Sequence, residues 1–300
     1  MSLAKKIVKK TLKKMGYEIY PSKNSLVNNI TKKVEPDLTI YQEIYGQEFL
    51  NNKKFYNIGA GNWRHPAWTN IDNFSDWYQK NPIDISFDLS SNTSLPIEDD
   101  STELIYSSHT LEHINNESAF NILKEAYRIL KKGGAIRIAV PNIELAYRAF
   151  KKQDKHYFYW FPHPFIKLSV EEISIGQMLV NHFATHTAKT FLSDQRVAST
   201  DATQVQQFSD EEINQIFARM PLNEALDRCT SQCSLSLQKK YPYCHINWWS
   251  YAKLSDMLHQ LGFKNIYQSG FGQSAFSVLR DTQFFDNSHS KISLYVEAVK

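Results

Sequence analysis

The stretch Ser107-Ser-His-Thr-Leu-Glu-His113 places His109, Glu112 and His113 at positions i, i+3 and i+4. If a helix has begun by His109, that spacing puts two imidazoles and a carboxylate on one helical face. Two chemistries suit such a set. An imidazole titrates near neutrality and takes a proton from a hydroxyl that is about to react. Nitrogen and carboxylate donors also hold cations. Helix capping and packing account for Glu112 and His113 without an ion. The reading adopted is therefore no metal, with His109, Glu112 and His113 as the alternative ligand set. His109 is the first candidate for a catalytic base. His245 is the second; it opens His245-Ile-Asn-Trp-Trp249, just before a helix pattern over 250–261 that stops at Gly262.

A second stretch points to a ligand. Phe55-Tyr-Asn-Ile-Gly-Ala-Gly61 is a short apolar run that stops at two glycines, and Thr69-Asn-Ile-Asp72 follows as a second run ending in an acid. Glycines let the backbone turn and let a ligand approach closely. Strand, glycine turn, strand, acid is how open α/β sheets hold a nucleoside, with the acid on the ribose hydroxyls.

These residues need strands to carry them. Further strands are expected over 83–88, 103–109 and 135–141, and a helix over 111–130 that Gly133-Gly134 ends. Each strand then finishes in a candidate functional residue: Gly59 and Gly61, Asp72, Asp88, Ser107 to His109, and Pro141 with Asn142. A parallel sheet binds its ligand at that end. Lys264-Asn-Ile-Tyr-Gln268 and the alternating 292–299 supply the last two strands. The fold class is α/β, a Rossmann-like, mostly parallel, seven-stranded sheet whose last strand is antiparallel. No pattern is evident over 21–53.

Taken together, Tyr56-Asn-Ile-Gly-Ala-Gly61, Asn70-Ile-Asp72, Asp88-Leu89, Leu95-Pro96, the run from Asp100 to His113, Leu123-x-Glu-x-x-Arg-Ile-Leu-Lys-Lys-Gly-Gly134 and Val140-Pro-Asn142 resemble the class I S-adenosylmethionine-dependent methyltransferases. Within them the sequence is similar to the small enzymes often encoded with surface-polysaccharide biosynthesis. The resemblance covers about residues 54–145 and again the end of the chain. It implies S-adenosylmethionine as cofactor and S-adenosylhomocysteine as product. It places Gly59 and Gly61 at the methionine part, with Asn57 on the strand before them. Asp72 falls on the ribose, Asp88 and Leu89 at the adenine, and Ser107, Ser108 and His109 near the sulfonium methyl. In relatives with this layout the segment at His245 tends to face the substrate. The set around Glu112 also resembles the Glu-x-x-Glu-His of metal-dependent O-methyltransferases of the ubiquinone and small-RNA families. Here the first Glu is His109, and no further downstream histidine is assigned. One departure is informative. The third glycine and full helix after the first motif are missing, and Asn62-Trp-Arg-His-Pro-Ala-Trp68 is short and holds a proline. A dinucleotide would want that helix N-terminus for its pyrophosphate. A sulfonium cofactor has none.

Residues 147–247 lie outside the basic fold and read as a cap or insertion in a single domain spanning 21–300. They begin with His156-Tyr-Phe-Tyr-Trp-Phe-Pro-His-Pro-Phe165 and continue with Asn181-His-Phe-Ala-Thr-His-Thr187. Aromatic faces with interspersed histidines suit a sugar or another flat polar molecule. The expected reaction is O-methylation of a sugar, or of a small phosphorylated or activated precursor. Residues 210–219 read as a helix with Ser209 as N-cap. Cys229, Cys233 and Cys244 lack the paired spacing of a zinc site, and their odd number argues against a disulfide framework.

With 34 Lys and Arg against 31 Asp and Glu, net charge is +3, which excludes the basic field of a nucleic-acid binder. No apolar run reaches membrane-span length and no apolar h-region follows Met1, so the expected compartment is the cytoplasm. Residues 1–20 segregate Leu3, Ile7, Val8, Leu12 and Met15 from six lysines, the pattern of a basic amphipathic helix. Such a helix suits peripheral contact with an anionic inner membrane face. The oligomeric state is not legible.

Overall fold

The computed structural model describes residues 36–73, 83–161 and 163–300. The basic helix expected at 1–20 lies outside the described residues. Seven strands form one sheet: β1 (Phe55–Ile58), β2 (Trp68–Asp72), β3 (Ile85–Ser86), β4 (Thr102–Ser108), β5 (Leu130–Pro141), β6 (Lys264–Ser269) and β7 (Ser293–Val299). Their order is β3-β2-β1-β4-β5-β7-β6. The first five pair in parallel, and β7 runs antiparallel to both β5 and β6. This is the expected mixed sheet.

The central strands are apolar on both faces because both are covered. Phe55, Ile58, Ile71, Leu104, Ile105, Ile136 and Ile138 are all buried. The helix Asn116–Ile129 packs Ala119, Ile122, Leu123, Ala126 and Ile129 onto the sheet. Burying each of the larger of these side chains contributes about 1.5–3 kcal/mol.

Three expectations are corrected here. The helix expected over 111–130 begins late. Leu111–His113 is a single 3-10 turn, and Asn115 then caps the helix by accepting from the backbone N–H of Ser118. His109 precedes both, with φ 52° in the left-handed region, so it is not helical. The glycine pair does not end the helix, which stops at Ile129. The β4–β5 ladder skips from Thr102↔Leu130 to Leu104↔Ala135, and the residues between loop out around Gly133 (φ 82°). Finally, the patternless stretch holds a helix, Thr39–Asn52, kinked at Gly46. Its Tyr41, Tyr45 and Phe49 pack around Phe55.

A buried ionic cluster ties the last strands together. Arg137 on β5 donates from Nε and Nη2 to Asp286 (2.9 and 2.5 Å) and from Nη1 to Glu297 on β7 (2.7 Å). All three side chains are fully buried. Nη2 also reaches the Gly270 carbonyl, and the Gly272 N–H donates to Asp286.

Between β5 and the helix Tyr251–Gln260 the chain is helical, with Ile143–Lys151, Ile175–Phe183, Asp210–Arg219, Leu222–Thr230 and Leu235–Lys240 among its elements. It has its own core around Phe150, Met178, Leu179, Phe183, Ile213 and Leu226. Ser209 and Glu212 form a reciprocal capping box at one of these helices. The segment leaves and returns at one point: Asn142 bridges Trp249, and the Ile143 N–H donates to the Trp249 carbonyl (3.1 Å). Among the described residues no helix is long and apolar enough to cross a membrane.

Candidate active site

The glycine turn after β1 is built for close approach. Gly59 and Gly61 have φ of 72° and 50°. A Cβ on Gly59 would fall 2.1 Å from the Thr110 side chain, so only glycine fits. The Gly59 N–H donates to the Ile71 carbonyl (2.8 Å), which locks the turn to β2. Asp72 fastens its far end, accepting from the N–H of Gly61 (2.6 Å) and of Asn73 (2.7 Å). Burial pushes the Asp72 carboxyl up, against these two bonds. Asp88 accepts from the N–H and hydroxyl of Ser90 (2.9 and 2.6 Å), with Lys239 Nζ 3.7 Å away. Burial alone would raise this carboxyl, but Ser90 and Lys239 outweigh it and hold it below its ordinary value.

Together these groups face a cavity of about 650 Å³ at the carboxyl ends of the strands. Gly59, Gly61, Asp72, Asp88, Leu89, Ser108 and His109 all line it. Asn57 and Ser107, also expected at the cofactor, are buried on β1 and β4 and do not line it. Ser107 donates to the Ile58 carbonyl (3.0 Å), bracing β4 against the start of the glycine turn. Leu235, Gln238 and Lys239, from the segment between β5 and β6, close the opposite wall.

A second cavity, of about 430 Å³, opens beside the first. Trp160, Phe161, Asn181, His182, Asp194 and Arg196 line it, as does His245. His109 and His113 border both cavities. His109 Nε2 meets the Ser293 hydroxyl (2.8 Å), and its Nδ1 lies 3.1 Å from Glu112 Oε1. That second contact is in ion-pair range without hydrogen-bond alignment. Glu112 is 1% exposed. Burial alone would raise its carboxyl, yet His109 and the other imidazoles hold it at about 2. Burial and the charge of His113 lower His245 to about 4, and burial lowers His182 to about 3.

The three side chains do lie together, but not on one face of a helix. A left-handed residue followed by one 3-10 turn, not a helix, folds His109 back over Glu112. Ser293, His289 and Arg196 went unnoticed in the sequence. Ser293 is the first residue of β7, a strand-end position of the kind that singled out the others.

Residues 67–138, from β2 into β5, match the family model described as a methyltransferase domain. No curated protein matches the sequence. Among solved structures, a SAM-dependent methyltransferase of Archaeoglobus fulgidus is similar at 11% identity and a TM-score of 0.36, over 87% of this chain and 91% of that one. One from Mesorhizobium loti is similar at 13% and 0.34, over 82% and 90%. Apo SibL, another such methyltransferase, is similar at 10% and 0.35; 88% of this chain matches 55% of that one, so the chain spans about half its length. Likenesses at this level say nothing of substrate or site. The sheet is Rossmann-like, mostly parallel with antiparallel final strands, and residues 67–138 of it carry the methyltransferase-domain match. The protein is an enzyme, and its methyl donor is S-adenosylmethionine.

Proposed function

We propose that the enzyme methylates a hydroxyl of a small polar molecule, a sugar or its phosphorylated or activated precursor, bound in the second cavity. The observation that carries this is the position of His109 on the boundary of the two cavities. The first cavity fits the cofactor: Gly59 where nothing larger fits, Asp72 for the ribose hydroxyls, and Asp88 with Leu89 for the adenine. When bound, S-adenosylmethionine supplies an electrophilic methyl group on sulfur. The chain's own residues then position and deprotonate. Glu112 holds the Nδ1 side of His109, and the Ser293 hydroxyl sits at Nε2, where an acceptor hydroxyl would take its place. Alignment of acceptor and methyl donor supplies much of the rate. Removal of the hydroxyl proton by a base adds about 10²–10⁴-fold.

Trp160 and Phe161 offer flat apolar faces, while Asn181, Asp194 and Arg196 offer hydrogen bonds. That mixture suits a sugar ring. A role in surface-polysaccharide assembly rests on the sequence resemblance, and with it a cytoplasmic enzyme held at the inner membrane face by residues 1–20. Another small metabolite of similar size is the second reading, supported by the same cavity. Calorimetry with S-adenosylhomocysteine, then methyl transfer from labelled donor to nucleotide sugars and sugar phosphates, tests the proposal. Failure to bind the product removes it. Binding without transfer to any hydroxyl acceptor points to a cofactor-binding partner subunit instead.

A further inference from the structure

Glu112, His113 and His245 bring one donor atom each to within 4.8 Å of the others. Their remaining contacts fix what those atoms carry. His113 Nδ1 lies 2.9 Å from the Cys244 carbonyl, and His245 Nδ1 lies 2.7 Å from the His182 carbonyl. A carbonyl oxygen can only accept, so both Nδ1 atoms hold a proton. In a neutral ring Nε2 is then a bare lone pair, and His113 Nε2 is 3.8 Å from Glu112 Oε1. Neither carboxylate oxygen of Glu112 has an aligned hydrogen-bond donor, though the side chain is buried and His109 Nδ1 stands 3.1 Å from Oε1. Positive charge is what favours such a buried carboxylate as an anion, and a cation among the two imidazole lone pairs would supply it.

The backbone supports the arrangement independently of any one side chain. The Ile246 N–H donates to the Glu112 carbonyl (2.8 Å), which seats the His245 segment on the Glu112 turn. A histidine whose far nitrogen donates to a backbone carbonyl is oriented as metal-ligating histidines are. Here two such histidines flank one unpartnered carboxylate.

We propose that Glu112, His113 and His245 bind a divalent first-row transition-metal ion at the junction of the two cavities. Two imidazoles with one carboxylate favour zinc, cobalt or nickel over magnesium or calcium, which prefer all-oxygen sets. Three protein ligands leave the ion open on one side. That side adjoins the second cavity, which all three residues line. An acceptor hydroxyl reaching it would become more acidic. This last point rests on the methyl-transfer reading; the metal site does not. His245 then serves as a ligand and not as a base.

The test uses the full-length protein, stripped with a chelator and titrated with Co²⁺ while visible absorption is followed. The expected result is one equivalent bound and displaced stoichiometrically by Zn²⁺. His113→Ala and His245→Ala should each weaken binding by about a hundredfold or more, since even indirect supports of a metal site cost 10–100-fold. Glu112→Gln, nearly isosteric, provides the same readout if an alanine variant fails to fold. His156→Ala, an exposed histidine of the cap segment, should change nothing. Circular dichroism and thermal melting, measured in parallel, show that each variant is folded. No stoichiometric Co²⁺ binding by the wild type overturns the proposal. So does full affinity in the folded Glu112→Gln or His245→Ala variants. Either result leaves methyl transfer standing.

Discussion

Two buried ionic groups lie along the sheet, and they are built in opposite ways. Around Arg137 every charge is matched: one guanidinium donates to two carboxylates, and the Gly272 N–H and Gly270 carbonyl complete the set. Around Glu112 the match is left open. Both carboxylate oxygens lack a hydrogen bond, and the nearest nitrogens lie at ion-pair distance. The first cluster is sealed between β5, β7 and the connection before β7. The second opens onto a cavity. Closed charge networks specify structure, whereas a buried charge left incomplete is one to be completed by what binds.

Substitutions separate the two. Arg137→Met should show the largest effect, because it strands Asp286 and Glu297 without their cation. A stability loss of about 3–5 kcal/mol is expected in denaturant unfolding. A loss under 1 kcal/mol would break the comparison from that side. Glu112→Gln should do the reverse. The stability loss should be smaller than in Arg137→Met, since Glu112 makes no aligned hydrogen bond that the amide would lose. Turnover should fall at least about a hundredfold. If the variant instead unfolds as readily as Arg137→Met, Glu112 is a structural residue.

Asp72→Ala sharpens the contrast at the cofactor cavity. It removes the carboxylate that fastens the Gly61 N–H and would meet the ribose hydroxyls. S-adenosylhomocysteine affinity should drop about 10–100-fold by calorimetry, as for a hydrogen bond to a charged group. Unchanged affinity would remove Asp72 from the ribose.

The smallest effect concerns a third, half-buried charge, which is neither paired nor left open to a ligand. Lys253 donates to Asn247 Oδ1 and to the Trp248 carbonyl and lies over both tryptophan rings. Burial lowers its amine to about 7. The unfolded chain keeps that proton to near pH 10, so between pH 7 and 10 it binds more protons than the native state. This group therefore makes stability rise with pH across that window. Lys253→Met should show its most favourable melting temperature relative to wild type below pH 7. The difference should turn against the variant towards pH 9. A difference independent of pH would show that the amine titrates normally.

The strands were legible because each is a short apolar run stopped by a residue with a task. Phe55 to Ile58 stopped by glycine, or Trp68 to Ile71 stopped by Asp72, needs no partner to be recognised. The position of the first cavity follows from those stops, since a parallel sheet brings them to one edge. Residues whose place depends on distant chain were not legible. The Thr39–Asn52 helix breaks its own periodicity at Gly46 and is held by aromatic contacts to Phe55. Asn57 and Ser107 are buried on their strands, and the Ser107 hydroxyl goes to the Ile58 carbonyl, a partner that sequence spacing does not name. His245 stood out beside tryptophans, but its relation to Glu112 is made by the Ile246 N–H reaching across the fold. The turn at His109 depends on a left-handed conformation that sequence spacing does not reveal.

The meeting of Asn142 with Trp249 has a wider consequence. The helices between them form a loop whose two ends are clasped at one rung beside the sheet, and β5 pairs with β7 whatever the loop contains. Such a loop can be lengthened, shortened or exchanged as a cassette while the sheet stays as it is. Yet Leu235, Gln238 and Lys239 of the same loop wall the donor cavity. A change in this loop would therefore reshape the first cavity as well as the second, which Trp160, Asn181 and Arg196 of the same loop line.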